Sequence, residues 1–164
     1  MSHMRVLVII PAEEADNAKD AVRARIAKYD ENLRTATETD DDGEIYSFNP
    51  LVKWDWWCIG GRYCGHFVMD DYDSVTDDCA YGGTRFHPQG CPTPDYHRNV
   101  LPMTELRPGW SAWAIVTPDG EWHEKGKMGW FGASHGDDPN WDAMKYEIAS
   151  AYPEHYAVCV DCHI

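Results

Sequence analysis

Arg5-Val-Leu-Val-Ile-Ile10 is the stretch that decides the fold, a continuous apolar run that Pro11 ends. Unbroken apolar runs of this length are typical of strands buried on both faces of a sheet. Residues 11–29 then predict a helix, because apolar side chains recur every three or four positions, with acidic residues early and basic residues late. The chain is therefore expected to begin with a buried strand and an amphipathic helix.

The C-terminal third predicts three more regular segments. Residues 111–117 and 121–125 flank the turn sequence Pro118-Asp119-Gly120, which indicates a hairpin. Residues 141–152 carry apolar side chains every four positions after a run of capping residues, and they predict the second helix. Residues 156–164 predict a final strand that lies centrally in the sheet.

The segments between these elements are less regular. Residues 30–44 are interpreted as a polar, acidic connection and residues 45–48 as a short strand. Residues 64–108, rich in Gly, Pro, Asp, Cys and His, are interpreted as a long irregular insertion. This order predicts one α+β domain spanning residues 1–164, with a mixed or antiparallel sheet, two helices on one face and a split βαβ-like arrangement.

Composition and charge exclude several classes of function. The chain has 164 residues and a formal net charge of −14, so long-range electrostatics oppose direct binding to nucleic acid or to an anionic membrane. No apolar run approaches the roughly 20 residues that cross a bilayer. Met1-Ser2-His3 resembles an expression-tag remnant before a natural start at Met4, and no signal-peptide pattern follows it. We therefore expect a cytoplasmic protein with no membrane partner.

The segment from Asn49 to Tyr63 reads N-P-L-V-K-W-D-W-W-C-I-G-G-R-Y and concentrates aromatic, charged and glycine residues. Indole rings stack on planar groups, glycine lets backbone amides approach an anion, and arginine pairs with phosphate or carboxylate. The segment therefore predicts a pocket for a nucleotide-like or other planar anionic ligand, with residues 126–132 as the opposite wall. The expected ligand-binding residues are Lys53, Trp54, Trp56, Trp57, Gly60, Gly61, Arg62 and Trp130. Aromatic packing around a glycine turn is the alternative explanation.

The final strand carries Asp161 and His163 two positions apart, so both side chains lie on one face. With His123 from the hairpin they form a two-histidine, one-carboxylate set that suits a divalent metal ion, zinc above all, and would activate water. Glu124 would then serve as the general base, and Asp55 is the second candidate catalytic carboxylate. The alternative is that Asp161 and His163 pair with each other or cap the end of the sheet.

Six cysteines in a chain without a signal-peptide pattern are expected to be reduced. The irregular insertion nevertheless offers the donors of a structural zinc site that would hold a long loop in place. The candidate ligands are Cys64, His66, Cys79, His87 and Cys91. Free cysteines or a disulfide between Cys79 and Cys91 are the alternatives.

Motifs from several parts of the chain occur together. They are Asn49-Pro50, Lys53-Trp-Asp-Trp-Trp57, Ile59-Gly-Gly-Arg-Tyr63, residues 117–124, Gly126, Met128-Gly-Trp-Phe-Gly132 and Val160-Asp-Cys-His-Ile164. In these motifs the chain resembles a family of small uncharacterised proteins of actinobacteria and their phages. The first strand and helix look similar as well, whereas residues 64–97 differ from the family pattern. The resemblance implies a phage or mobile-element accessory protein and no particular activity.

The residues and the resemblance together predict an intracellular, phage-type accessory protein that binds a planar anionic small molecule in a pocket lined by tryptophan and arginine. If the protein is an enzyme, metal-assisted hydrolysis is the expected reaction. The alternative is a non-catalytic inhibitor, or a nucleic-acid mimic, whose acidic surface binds a basic host defence protein. In either case the expected compartment is the cytoplasm, that of the host if a phage encodes the protein.

Overall fold

A mixed β-sheet lies at the centre of the computed structural model, which describes residues 2–68, 98–129 and 133–164. The strands in these residues are β1 (His3–Ile10), β2 (Ala36–Thr39), β3 (Ile45–Phe48), β4 (Trp56–Ile59), β5 (Val100–Pro102), β6 (Ala114–Val116), β7 (Trp122–Glu124), β8 (Lys127–Met128), β9 (Ser134–His135) and β10 (Tyr156–His163). The helices are α1 (Ala18–Ile26) and α2 (Trp141–Ser150). The predicted α+β fold class is confirmed.

Strands β1 and β10 form the middle of the main sheet. Its order is β4, β10, β1, β6, β7, and β5 pairs with β10 farther along the same edge as β4. β1 is antiparallel to β10 over its whole length and parallel to β6. As predicted from its apolar run, β1 is buried on both faces, since Val6 through Ile10 are all 0% exposed.

Each face of β1 is covered by one helix. On the first face, Val6 and Val8 pack in one cluster with Val22 of α1. On the second face, Leu7 packs in another cluster with Trp141 of α2. The prediction that both helices lie on one face is therefore wrong, because a strand that is apolar on both sides needs cover on both sides. We refer to the second face as the α2 face.

The first helix is less regular than predicted. A 3₁₀ segment over Ala12–Asn17 precedes α1, and a second one over Ala27–Tyr29 follows it. The ring of Tyr29 is buried, and its hydroxyl donates to the Gly120 carbonyl at 2.9 Å in the turn between β6 and β7. The apolar periodicity of residues 12–29 predicted which side of the segment is buried, but it did not distinguish α-helical from 3₁₀ geometry.

A hairpin lies in the segment that we predicted to be an acidic connection and a short strand. β2 pairs with β3 in antiparallel register. The carboxylate of Asp40 closes the turn, because its Oδ1 accepts the backbone N–H groups of Asp42 and Glu44 at 3.0 and 2.9 Å. Such local side-chain bonds form turns without any apolar signal in the sequence.

The predicted irregular insertion, residues 64–108, is regular in part. It contains β5 and a 3₁₀ segment over Met103–Glu105. Its residues 69–97 lie outside the described part of the chain. Among the described helices, none combines the length and the apolar character that a membrane span requires.

Candidate functional site

Two histidines lie side by side on the α2 face. His3 of β1 and His163 of β10 are directly opposite each other in the antiparallel register. Their ring centroids are 4.8 Å apart and the ring planes meet at 75°. Opposed side chains on one face of an antiparallel pair are neighbours by geometry. The pairing of β1 with β10 therefore brings the two imidazoles together.

Each of these histidines donates a hydrogen bond to a carboxylate. Nδ1 of His3 lies 2.8 Å from Oδ1 of Asp161, and Nδ1 of His163 lies 2.6 Å from Oδ1 of Asp55. An ionised carboxylate only accepts hydrogen bonds, so Nδ1 of each neutral ring carries the proton and Nε2 keeps a lone pair. Neither Nε2 bonds to any residue that the structure describes. We call these four residues the His–Asp cluster.

Asp161 is the fixed point of the His–Asp cluster. Its side chain is fully buried, and its Oδ2 accepts the backbone N–H of Arg62 at 2.9 Å. Gly61, with φ +55°, packs so closely that a Cβ there would lie 2.5 Å from Oδ2 of Asp161. The sequence predicts that the Gly60-Gly61-Arg62 amides bind an external anion. In the structure the Arg62 amide holds the chain's own carboxylate instead, and the Arg62 residue is exposed.

The three tryptophans of the segment 49–63 have different roles. The ring of Trp56 stacks beside His163 with centroids 5.7 Å apart. Trp54 is buried in the core under α1, where its Nε1 donates to the Ile26 carbonyl at 3.0 Å. Trp57 packs against the same core. Of the three, Trp56 is thus the tryptophan at the His–Asp cluster, and the other two match the alternative of aromatic packing.

A cavity of about 480 Å³ opens on the α2 face beside His3. Its polar lining among the described residues includes His3, Arg5, Tyr63, Ser111, Lys125 and Lys145, together with the carboxylates of Asp137, Asp138 and Asp142. The guanidinium of Arg5 donates to Nδ1 of His66 and to Oγ of Ser111. The hydroxyl of Tyr63 donates to the backbone carbonyl of His3 at 3.0 Å, which connects the cavity wall to the His–Asp cluster.

Two lysines of the cavity form ion pairs with carboxylates. The partner of Lys145 is much more exposed than the lysine, and the partner of Lys125 is about as exposed as the lysine. Lys145 is 6% exposed at its side chain, and its Nζ lies 2.6 Å from Oδ1 of Asp142, whose side chain is 87% exposed. Lys125 lies 3.2 Å from Asp137, and its Nζ stands 5.5 Å from the ring centroid of Trp113. In the Lys145 pair, positive charge is thus inside and negative charge at the rim.

Burial sets the protonation of several groups near the site. It raises the pKa of Tyr63 to about 12, with Asp161 contributing in the same direction. Burial is also the first cause that raises the pKa of Cys58 and of Cys159 to about 12. It lowers the pKa of His66 to about 3, with the charges of Arg5 and Arg107 adding to the effect. At neutral pH the phenol and thiols therefore keep their protons, and His66 is uncharged.

The hairpin residues assigned to a metal site lie elsewhere. His123 and Glu124 belong to β7, which β1 and β6 separate from β10 by about 14 Å of sheet. Successive strand residues point to opposite faces, so these two side chains diverge. Glu124 accepts a hydrogen bond from Lys53 at 2.6 Å and one from the Trp122 indole at 2.8 Å. The predicted set of His123, Asp161 and His163 is therefore not assembled, and Lys53 does not reach the His–Asp cluster.

The structural zinc candidates are only partly described. Cys64 is disulfide-bonded, so the expectation that all six cysteines are reduced is wrong, and its sulfur is not available as a thiolate ligand. His66 is buried beside Arg5. Of the other candidates, Cys79, His87, Cys91 and the pocket candidate Trp130 lie outside the described residues. Within residues 2–68, 98–129 and 133–164, no group of three His, Cys, Asp or Glu side chains is arranged to hold a metal ion.

The sequence did not predict the cavity or one of the four residues of the His–Asp cluster. It brought Asp55, Asp161 and His163 toward one site, and the structure places these three residues together. His3, which the sequence indicates to be part of an expression-tag remnant, lies in β1 and bonds to Asp161. Arg5 carried a usable signal, because strand alternation puts it on the same face as His3. Lys125 and Lys145 come from separate elements, and only the fold brings them to the cavity.

Comparison of the chain with protein-family models, with curated proteins and with solved structures finds no match. The resemblance to actinobacterial and phage proteins stays a prediction, and the geometry of the site carries the functional argument.

Proposed function

We propose that the protein binds a small anionic ligand of nucleotide size in the cavity beside His3. The observation that carries the proposal is the convergence of Arg5, Lys125 and Lys145 on one cavity in a protein whose net charge is −14. The resemblance described above supports a phage-type accessory role for this binding. The volume of about 480 Å³ falls in the range of small-molecule sites.

The electrostatics of the cavity favour an anion at its inner wall. Lys145 is nearly buried, whereas the carboxylate of its partner Asp142 faces solvent. A charge removed from water acts on a ligand more strongly than a charge at the rim, because the surrounding dielectric constant is lower. Asp137, Asp138 and Asp142 also line the cavity, so its described lining carries as many carboxylates as basic side chains and favours a ligand with a neutral or donor-rich part next to its anionic group.

Trp113 adds a second feature of a ligand site. Its indole lines the cavity, and its buried Nε1 makes no hydrogen bond within the described part of the chain. Buried donors almost always have an acceptor in native proteins. An acceptor on the ligand, such as a phosphate or carbonyl oxygen, would satisfy this donor. The flat face of the indole would also suit the planar part of a nucleotide.

Lys125→Gln is expected to weaken the binding of adenosine monophosphate about 10-fold, measured by isothermal titration calorimetry. The reason is the loss of one charge-assisted hydrogen bond, worth about 1.5 kcal/mol. The matched control is Lys28→Gln. Lys28 has a similar exposed fraction, pairs with Glu121 at 3.1 Å and stands 5.1 Å from the Tyr29 ring, but it lies outside this cavity.

The control variant should keep the affinity of the wild type. Equal affinities for all three proteins would show that the nucleotide does not bind at this cavity. Wild-type protein that binds neither adenosine monophosphate nor inorganic phosphate at millimolar concentration would contradict the proposed function itself.

A second candidate function is the binding of a basic protein partner through the β2–β3 hairpin. Five acidic residues lie between positions 38 and 44, and the adjacent Ile45 is 74% exposed. The hairpin is a separate two-stranded sheet, and such ribbons are marginally stable in water on their own. An exposed isoleucine next to a dense negative charge favours a partner surface with lysine or arginine around an apolar contact.

We expect a triple variant to bind a decalysine peptide at least 10-fold more weakly than the wild type, measured by fluorescence anisotropy at low salt. The substitutions are Asp41→Asn, Asp42→Asn and Glu44→Gln. Each charge removed weakens a screened surface attraction. The control neutralises Glu13, Asp16 and Glu147, which are exposed elsewhere, and has the same net charge. Equal losses in both variants would show that only the overall charge matters and would refute a site at the hairpin.

A further inference from the structure

We propose that the cavity on the α2 face is specific for guanine nucleotides and that Asp138 is the residue that recognises the guanine base. This inference rests on the proposed function, because it names the ligand class for the same cavity. It depends on a row of four lining residues and on the hydrogen-bonding capacity of the carboxylate at the end of that row.

The four residues of the row lie on neighbouring backbone segments. The backbone N–H of Trp113 donates to the Arg5 carbonyl at 2.7 Å, and that of Lys125 donates to the Trp113 carbonyl at 2.9 Å. The backbone N–H of Asp138 in turn donates to the Lys125 carbonyl at 2.7 Å. All four residues line the cavity. Since hydrogen-bonded segments lie about 4.8 Å apart, the row runs for about 14 Å from Arg5 to Asp138.

The order of side chains along the row matches the order of groups in a nucleotide. Arg5 and Lys125 flank the Trp113 indole, and Asp138 stands at the far end. The buried Nε1 of Trp113 makes no hydrogen bond to any residue that the structure describes, so a ligand oxygen can accept from it in the middle of the row. A phosphate on the basic side chains and a base on the indole would direct the outer edge of that base toward Asp138.

Asp138 is the lining carboxylate with hydrogen-bonding capacity to spare. The carboxylates of Asp137 and Asp142 each form an ion pair with a lysine. Oδ1 of Asp138 accepts the backbone N–H of Asn140 at 2.8 Å, and Asp138 forms no ion pair with the residues in the described ranges. The residue is half-buried. Its Oδ2 and a second lone pair of Oδ1 can therefore accept hydrogen bonds from a ligand.

A carboxylate at this place discriminates between nucleobases. An ionised carboxylate accepts hydrogen bonds and donates none. The Watson–Crick edge of guanine carries two adjacent donors, N1–H and the N2 amino group, which match the two oxygens of one carboxylate. Adenine has the lone pair of N1 at the equivalent position, and the carboxylate repels it. Asp138 therefore favours guanine over adenine.

The size of the preference follows from the charge on Asp138. Hydrogen bonds to an ionised group are stronger than those between neutral groups. We expect guanosine monophosphate to bind at least about 30-fold more tightly than adenosine monophosphate, because adenine leaves the carboxylate without its donors. Inosine monophosphate keeps N1–H and lacks the N2 amino group, so its affinity should lie between the other two.

The test is isothermal titration calorimetry of the wild-type full chain and of Asp138→Asn with these three nucleotides. Asparagine keeps an oxygen to accept the Asn140 N–H and replaces the second oxygen with an amide NH₂ group. That group repels the N2 amino group of guanine. In the variant, the affinity for guanosine monophosphate should exceed that for adenosine monophosphate by no more than about 3-fold.

Xanthosine monophosphate distinguishes base recognition from a structural role of Asp138. Xanthine has a carbonyl oxygen in the place of the N2 amino group. This oxygen would face a carboxylate in the wild type and an amide donor in Asp138→Asn. The variant should therefore bind xanthosine monophosphate at least about 10-fold more tightly than the wild type does. A structural role would lower the affinity for every nucleotide and increase none.

Asp142→Asn is the matched control, because it removes the same charge from the lining of the same cavity. The side chain of Asp142 is 87% exposed and pairs with Lys145. This variant should change the affinities for guanosine and adenosine monophosphate by the same factor and leave their ratio at the wild-type value.

Three results would overturn the inference. They are equal wild-type affinities for guanosine and adenosine monophosphate, a wild-type ratio of these affinities in Asp138→Asn, and no gain of affinity for xanthosine monophosphate in that variant. In each case nucleotides still bind, so the anion-binding cavity of the proposed function would stand. A wild-type protein that binds no nucleotide and no inorganic phosphate would refute the proposed function and this inference together.

Discussion

Gly61→Ala is expected to destabilise the protein by about 3 to 4 kcal/mol, the sum of backbone strain, overpacking and disturbed hydrogen bonds. The added Cβ would lie 2.5 Å from Oδ2 and 2.7 Å from Cβ of Asp161, and 2.8 Å from Sγ of Cys58. Neither neighbour can move freely, because both are buried and the two carboxylate oxygens of Asp161 are hydrogen-bonded. The free energy of unfolding in urea measures the effect.

Gly43→Ala is the matched control for this prediction. Gly43 also has a positive φ, +85°, but a Cβ there meets nothing within 4 Å. Gly43→Ala should therefore lower the free energy of unfolding only by the strain of the left-handed backbone, about 1 kcal/mol. If both variants lose the same free energy, the close packing of Gly61 against Asp161 carries no energetic weight, and the account of a rigid Asp161 is wrong.

The fold could be predicted where apolar periodicity was strong. The run at Val6 to Ile10 predicted a strand buried on both faces, and β1 is one. The same observation should have predicted helices on both sides of the sheet, since two buried faces need two covers. The β2–β3 hairpin was not predicted, because its turn is formed by backbone hydrogen bonds to the Asp40 carboxylate and not by an apolar pattern.

The site could be predicted only in part, for a reason of strand register. Alternation along β10 correctly put Asp161 and His163 on one face, and the tryptophan segment supplied Asp55. Which strand lies next to β10 depends on the topology of the whole sheet. The sequence grouped His123 with Asp161 and His163, whereas the strands beside β10 are β4 and β5 on one side and, on the other, β1, which brings His3 and Arg5. A single sequence holds no local signal for that choice.

Stability should fall by about 2 kcal/mol between pH 7 and pH 5 through the titration of His66 alone. Burial, with the charges of Arg5 and Arg107, lowers the pKa of His66 from its ordinary value of 6.5 to about 3 in the folded protein. Between these two values the unfolded chain binds a proton that the folded chain excludes. The contribution of His66 to the free energy of unfolding is therefore complete above pH 6.5 and is lost as the pH falls toward 3.

His66→Asn isolates this effect. Nδ1 of His66 accepts a hydrogen bond from Arg5, and the side-chain oxygen of asparagine can accept the same bond without titrating. Urea unfolding at pH 7, 6 and 5 should show a pH dependence that is smaller in the variant by about 1.4 kcal/mol per unit below pH 6. Carboxylates and other histidines titrate in both proteins, so their contribution cancels. Parallel pH profiles would mean that the folded protein accepts the proton at His66 without cost, and the tight packing of Arg5 against this ring would then have no electrostatic consequence.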